Sequence, residues 1–483
     1  MKHRAKTLGE LKKGDYTYRS IKDELRANLI DRLEAGIPSF ERVLGFEDTV
    51  IPELERAILA KHNINLLGLR GQAKTTIARL MVELLDEYIP IIEGSELNED
   101  PLKPLTKRSV DMIGEMGDKT PIQWIHRNER YSEKLATPDV SIADLIGDID
   151  PIKASNLKLS YSDEGAIHYG LIPHANRGIF VINEIPDLQP RIQVALFNML
   201  QEGDIQIRGF KLRLPLDIQF VFTANPEDYT NRGSIITPLK DRIQSQIMTH
   251  YPLNLEIAKS ITKQEAQLDS KVKHKIQIPD LLARLVEQVA MAARDSEFVD
   301  QKSGVSARLS TSAYECMVAS AEQRMIRNNE KSASVRIGDL LAIIPAITGK
   351  IELVYEGEQE GAIQVAHSLI RQALRNEFAL YYPAPERLKS SKSTSPYQET
   401  LNWFSNQEFV LSNDLREDEY VKALKKVKPL FGLVERYVTN ISEAEKNLHA
   451  EFVLHGLSEF SLLSKKGLNN RFHFNDILGG MLN

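Results

Sequence analysis

The chain has 483 residues, 27% charged and 42% hydrophobic, and its 61 Lys and Arg against 67 Asp and Glu leave a formal charge of −6. At roughly 100 to 200 residues per domain this length predicts several domains, and the acidic balance argues against a dedicated nucleic-acid binder, which is normally basic. The single cysteine, Cys316, excludes an internal disulfide and the thiolate clusters of zinc fingers and iron–sulfur proteins.

The basic opening MKHRAKTLGELKKGDY lacks the apolar stretch of a secretory signal, and no run of about 18 apolar residues follows. A cytoplasmic protein without membrane insertion is therefore expected. Residues 1–40 are polar and helix-prone, with Ile21, Leu25, Leu29 and Leu33 at four-residue spacing and a stop at Gly36-Ile37-Pro38, which predicts a small helical adaptor.

Over 41–252 short apolar runs alternate with amphipathic stretches, among them NINLLG (63–68), GIFVIN (178–183) and DIQFVFTAN (217–225). The pattern predicts an α/β domain with a largely parallel sheet and helices on both faces. After Pro252 the strand signal fades, so 253–355 reads as an all-helical lid, with LLARLVEQVAMAA (281–293) its clearest helix, and 356–483 as a helical C-terminal extension. The segment LKSSKSTSPYQ (388–398) reads as a linker or loop, and EYVKALKKVKPLFGLVERYV (419–438) as amphipathic helix.

The segment NINLLGLRGQAKTTIARLMVELLDEYI places a buried strand before a Gly-containing loop and then a helix whose Ile77, Leu80, Met81, Leu84 and Leu85 share one face. That is P-loop order: loop N–H groups and a helix N-terminus for the β-phosphate, a lysine across the β- and γ-phosphates, a hydroxyl on Mg²⁺. Gly71, Lys74 and Thr75 suit those roles, but Ala73 stands where the pattern G-x-x-x-x-G-K-[ST] has its second glycine. Either the backbone there is already helical or the loop differs slightly, because alanine lacks the positive-φ freedom of glycine.

Asn183 and Glu184 end the strand Ile179–Ile182, at the strand end where open α/β sheets bind ligands. Glu184 suits a general base or water positioner. Asn183 takes the position where P-loop ATPases usually carry an aspartate for the magnesium shell, and it brings no charge. Asn225 ends the next buried strand, within reach of a γ-phosphate. Between them GDIQIRGFKLRLPL predicts a β-hairpin around Arg208-Gly209. Further on, Arg242 in PLKDRIQ, expected on a helix, could stay beside Asp241 or reach a neighbouring subunit's nucleotide, and Arg308 in GVSARL, at the expected start of a helix, could bend back onto the γ-phosphate.

Taken in order, GLRGQAKT, FVINE, TANPEDY, TPLKDR and GVSARL resemble an AAA+ ATPase of the magnesium-chelatase I-subunit and MoxR branch, over residues 41–350. LIGDIDP, PHANRGIFVINEIPDL and ANPEDYTNRGSIITPLKDR resemble that branch in particular. The resemblance implies a P-loop NTPase fold, ATP and Mg²⁺ as cofactors, and a Walker A loop comprising Gly68, Gly71, Gln72, Ala73, Lys74, Thr75 and Thr76. It implies Asn183 and Glu184 as Walker B, with Thr75 and Asn183 toward the metal, Asn225 as sensor 1, Arg242 as arginine finger, Arg308 as sensor 2, and Gly45 in VLGFED beside the adenine. It further implies a homo-oligomeric ring, commonly a hexamer, that hydrolyses ATP to remodel a partner bearing a von Willebrand A domain. No DxSxS motif occurs in this chain, so that partner is another polypeptide.

Two alternatives stand beside the motor: a nucleotide-dependent assembly switch that hydrolyses weakly, motivated by Ala73 and Asn183, and the ATPase subunit of a magnesium-porphyrin chelatase. A DNA-bound transcription activator is disfavoured, for want of a helix-turn-helix and of the hairpin-tip sequence GAFTGA. His126, His168 and His174 lack metal-ligand spacing, and nothing in 356–483 specifies chemistry.

Overall fold

The computed structural model describes residues 4–158, 163–207, 213–226, 234–385, 395–405, 407–468 and 470–477. The chain forms two compact units, Met1–His250 and Tyr251–Asn483.

Strands of the first unit are β1 (Ile64–Leu67), β2 (Tyr88–Ile92), β3 (Ile122–His126), β4 (Tyr131–Leu135), β5 (Gly147–Ile149), β6 (Ile167–Tyr169), β7 (Gly178–Asn183), β8 (Asp204–Gln206), β9 (Arg213–Pro215), β10 (Ile218–Ala224) and β11 (Ser245–Met248). Five of them make one parallel sheet in the order β11-β1-β10-β7-β4. Every residue of β1 and β10 is buried, as the continuous apolar runs of a doubly covered parallel sheet require. Side-chain alternation sorts β7 and β10 between two cores. Ile179, Val181 and Val221 join Ile64, Leu66, Leu54 and Ile77 on one face. Phe180, Ile182, Phe220 and Phe222 join Leu196, Ile205 and Leu239 on the other. This is the P-loop NTPase arrangement of sheet and helices that the sequence predicts.

The helix Ile21–Glu34 belongs to the first of these cores through Ile21, Leu25 and Leu29, whereas Leu33 is exposed. Its Glu24 forms a two-pronged ion pair with Arg130, at 2.7 and 2.6 Å, and both side chains are almost wholly buried. Three antiparallel pairs lie outside the main sheet: β2 with β3, β5 with β6, and β8 with β9. The last is the predicted hairpin. Its Arg208, Gly209 and Leu212 lie outside the described residues.

The second unit is helical, built on Leu255–Glu265, Asp280–Asp295, Arg308–Arg327, Ala362–Tyr381 and Glu443–Glu459. One hydrophobic core runs from Ala266 to Phe474. The unit also carries strands that an expectation of helices throughout did not include: β12 (Ile276–Gln277) paired with β13 (Ala333–Ser334), and β14 (Phe409–Ser412), β15 (Ser464–Leu468) and β16 (Arg471–Asn475) in the order β14-β16-β15. Period-two burial explains the larger sheet, since Phe472 and Phe474 point inward from β16 and Phe409 and Leu411 from β14. The stretch 419–438 divides into helices Glu417–Leu424 and Lys428–Tyr437, because Pro429 is tolerated only in a first turn. Most of 388–398 lies outside the described residues.

Candidate functional site

β1 ends at Leu67, and the loop from Gly68 to Ala73 leads into the helix Lys74–Leu80, which continues as a 3₁₀ turn over Met81–Leu84. Gly71 has φ +75° and Ala73 has φ +54°, ψ +13°. Ala73 therefore adopts the left-handed conformation that a glycine would take there, so neither a helical backbone nor a differing loop, the two expectations from the sequence, is what the structure has. Left-handed residues on either side of Gln72 are the backbone alternation from which an anion-binding nest of N–H groups can be built. Lys74, 7% exposed, curls into the loop and donates to the carbonyls of Gly68 and Leu69, the latter at 3.0 Å. Thr75 is half-buried and Thr76 exposed.

The loop is braced from β11. Thr249, one residue beyond that strand, donates its N–H to Leu67 O at 2.8 Å and its hydroxyl to Gln72 Oε1 at 2.8 Å, and both side chains are buried. A methyl group on Gly68 would overlap the Thr249 hydroxyl and the Gln72 amide. Glycine is thus required at 68 for close approach, and the Gln72 side chain serves the loop's own shape.

Sheet register brings the remaining elements to the same crevice. Leu67 lies opposite Ala224, with Gly68 N–H on Ala224 O at 3.1 Å, and Phe222 lies opposite Ile182. The P-loop, Asn225 and the pair Asn183-Glu184 accordingly leave the C-terminal ends of three adjacent strands. Asn225 is 2% exposed. Glu184 is half-buried and left-handed, at φ +56°, ψ +50°, a costly conformation that persists where surrounding structure dictates it. Thr223 supplies that structure. Its hydroxyl accepts the Glu184 N–H and donates to Asn183 Oδ1. Nothing in the sequence singled out Thr223, although a hydroxyl two residues before Asn225 in a run of apolar residues was a visible signal.

Gly45 is left-handed at φ +82°, and the next residue, Phe46, packs edge-on to His250 with ring centroids 4.9 Å apart. Arg242 follows the short helix Thr237–Lys240 rather than lying on it. Its guanidinium donates to Gln201 Oε1 and Pro238 O, each at 2.7 Å, and lies 5.1 Å from the Phe197 ring. Arg308 belongs to the second unit, where it is exposed at the first position of its helix. Glu227 to Gly233 of the predicted ANPEDYTNRG segment lie outside the described residues.

The donor set fits a nucleotide polyphosphate: inward N–H groups, a buried ammonium and the Thr75 hydroxyl. Among the described residues no group of three or more His, Cys, Asp or Glu could hold a metal ion by itself, so a divalent cation would rely on Thr75, Asn183 and the phosphates it accompanies. No helix among the described residues is long and apolar enough to cross a membrane.

The model of the Sigma-54 interaction domain matches residues 157–247, a span that contains Asn183, Glu184, Asn225 and Arg242. The chain is similar to the magnesium-chelatase 38 kDa subunit of Rhodobacter capsulatus, 24% identical over 238 residues, and to that of Cereibacter sphaeroides, 25% identical over 205 residues. These alignments cover 48% and 42% of this chain and 62% and 55% of the relatives. A structure of the complex between subunits BchI and BchD of magnesium chelatase, built on a single-particle cryo-EM reconstruction, aligns at 20% identity and a TM-score of 0.34, covering 66% of this chain and 98% of that one.

Proposed function

We propose that this chain is a Mg-ATP-hydrolysing AAA+ motor of the magnesium-chelatase I-subunit and MoxR type, working as a homo-oligomeric, hexameric ring on a partner protein with a von Willebrand A domain. The observation that carries this reading is the P-loop, with Ala73 in its left-handed turn, leaving the end of β1 beside the adjacent strand ends that bear Asn225 and Glu184. Loop N–H groups and Lys74 hold the β- and γ-phosphates, and Glu184 orients a water and takes its proton. Asn225 directs its amide to the γ-phosphate. Magnesium, when bound through Thr75 and Asn183, supplies charge neutralisation. Arg242, tied to Gln201 within its own subunit, is the arginine offered to a neighbour, and Arg308 is the residue assigned to sensing the γ-phosphate.

Calorimetry with Mg-ATP tests the foundation: wild type binds, Lys74→Ala does not, and equal heats from both sink the reading. ATPase assays of wild type and Glu184→Gln then separate the motor from an assembly switch, which the uncharged Asn183 favours. Turnover lost only in Glu184→Gln supports the motor. ATP-driven oligomerisation with no turnover in either protein supports the switch. The names of the curated relatives favour a further reading, the ATPase subunit of a magnesium-porphyrin chelatase. Retention of a von Willebrand A protein by ATP-locked Glu184→Gln, with identification of the retained protein, tests the partner.

A further inference from the structure

In the second unit a cavity of about 520 Å³ opens beneath the β15–β16 hairpin, well within the range of small-molecule sites. Much of its wall is apolar, supplied by Leu340, Ile370, Leu374 and Phe472. Its charged residues are predominantly basic. Lys465 is paired with Glu459, whereas the side chains of Arg371 and Arg471, both exposed, make no ion pair or hydrogen bond among the described residues.

Two histidines complete the wall. His367 is held below its ordinary value by burial and then by Arg371 and Lys465, and His455 falls well below by burial and then by Lys465. His455 is 3% exposed, and its Nε2 has no hydrogen-bond partner among the described residues, the nearest carboxylate oxygen of Glu451 being 3.9 Å away. A buried polar atom left unpaired in a cavity wall is costly unless something else completes it.

Arg371 also borders an adjoining cavity of about 920 Å³, lined by polar groups such as Gln288, Asn376 and Ser458. The guanidinium thus stands where an apolar chamber meets a polar one.

We infer that this cavity binds a small amphipathic carboxylate, its apolar body against Ile370, Leu374 and Phe472 and its carboxylate on Arg371, with Arg471 a second guanidinium of the same lining. Guanidinium and carboxylate match as a two-pronged pair, and the apolar wall rejects a compact inorganic anion. The proposed site lies within the second unit.

Calorimetry of the full chain with octanoate, below its micellar concentration, tests the assignment. Octanoate is expected to bind saturably at one site per chain, with octylamine, acetate and inorganic phosphate giving no comparable heat. Arg371→Gln is expected to weaken octanoate by about tenfold or more. Should circular dichroism show that variant misfolded, Arg471→Gln carries the same expectation of weakened binding. Absence of saturable octanoate binding, equal binding of octylamine or phosphate, or unchanged affinity in a folded variant overturns it.

Discussion

The Thr223 hydroxyl accepts the backbone N–H of Glu184 at 3.1 Å. The same hydroxyl donates to Asn183 Oδ1 at 3.2 Å, so one side chain on β10 fixes both residues that end β7. Thr223→Val keeps the shape and removes the hydroxyl. If the chain is the proposed ATPase, with Glu184 orienting the water, steady-state turnover at saturating Mg-ATP is expected to fall by about tenfold, because a misaimed water positioner loses transition-state stabilisation. Nucleotide affinity by calorimetry should stay within about twofold, since the P-loop is untouched, and Thr223→Ser should restore turnover. Unchanged turnover in Thr223→Val would show that the hydroxyl does not position Glu184.

Ala73 makes a second, opposite case, in which the sequence departs from the usual glycine and the backbone does not. A left-handed alanine costs roughly 1–2 kcal/mol, while glycine gives back about 0.4–1 kcal/mol through the freedom of the unfolded chain. Ala73→Gly is therefore expected to stabilise the protein by about 0.5 kcal/mol, and Ala73→Val, branched at a positive φ, to destabilise it. Urea denaturation of the two variants beside wild type measures both signs. A less stable Ala73→Gly would contradict the left-handed turn.

The phosphate loop was legible because strand, loop and helix are contiguous, and apolar runs announced β1, β7 and β10. What escaped were pairings over long sequence separations. Gln72 meets Thr249, and β14 meets β16, across distances that local periodicity does not register. The β16 segment RFHFN nonetheless carries its alternation openly, so its strand character was readable even where its partner was not. Arg242 shows a different limit: the sequence suggested a helix, the structure ends that helix at Lys240, and the hold of Gln201 on Arg242 depends on the packed structure.

The Glu24–Arg130 pair is a third long-range contact, with side chains 5% and 1% exposed. Arg130 also donates its Nε–H to Arg177 O at 2.8 Å, so the guanidinium joins the N-terminal helix to the segment before β7. Removing one partner of a buried pair strands the other charge and costs about 3–5 kcal/mol. Glu24→Ala is expected to show a loss of that size in denaturant unfolding. The double variant Glu24→Leu/Arg130→Met should recover much of it, since paired apolar replacement leaves no orphaned charge. Equal losses in the single and double variants would indicate that packing volume, not charge pairing, decides stability here.

In the second unit His449 sets a pH dependence. It is 5% exposed, its Nδ1 lies 3.2 Å from the Tyr382 hydroxyl, and its ring packs against Tyr381 and Tyr382. Burial lowers it from 6.5 to about 4, against the opposing pull of Glu445. Between those values the unfolded chain takes up a proton that the folded chain refuses, so the contribution is intact above pH 6.5 and is lost as pH falls through the folded value. The full loss is on the order of 3 kcal/mol. Glu287 and Glu451 act in the opposite direction: burial raises both above 4.5, so the folded state holds their protons more tightly and their contribution falls as pH rises. Total stability therefore mixes the two signs, and the difference between wild type and His449→Gln isolates the histidine. Urea unfolding of both proteins from pH 7 to pH 4 is expected to show wild type losing more stability on acidification. Parallel curves would mean that His449 takes up its proton in the folded state as readily as in the unfolded chain.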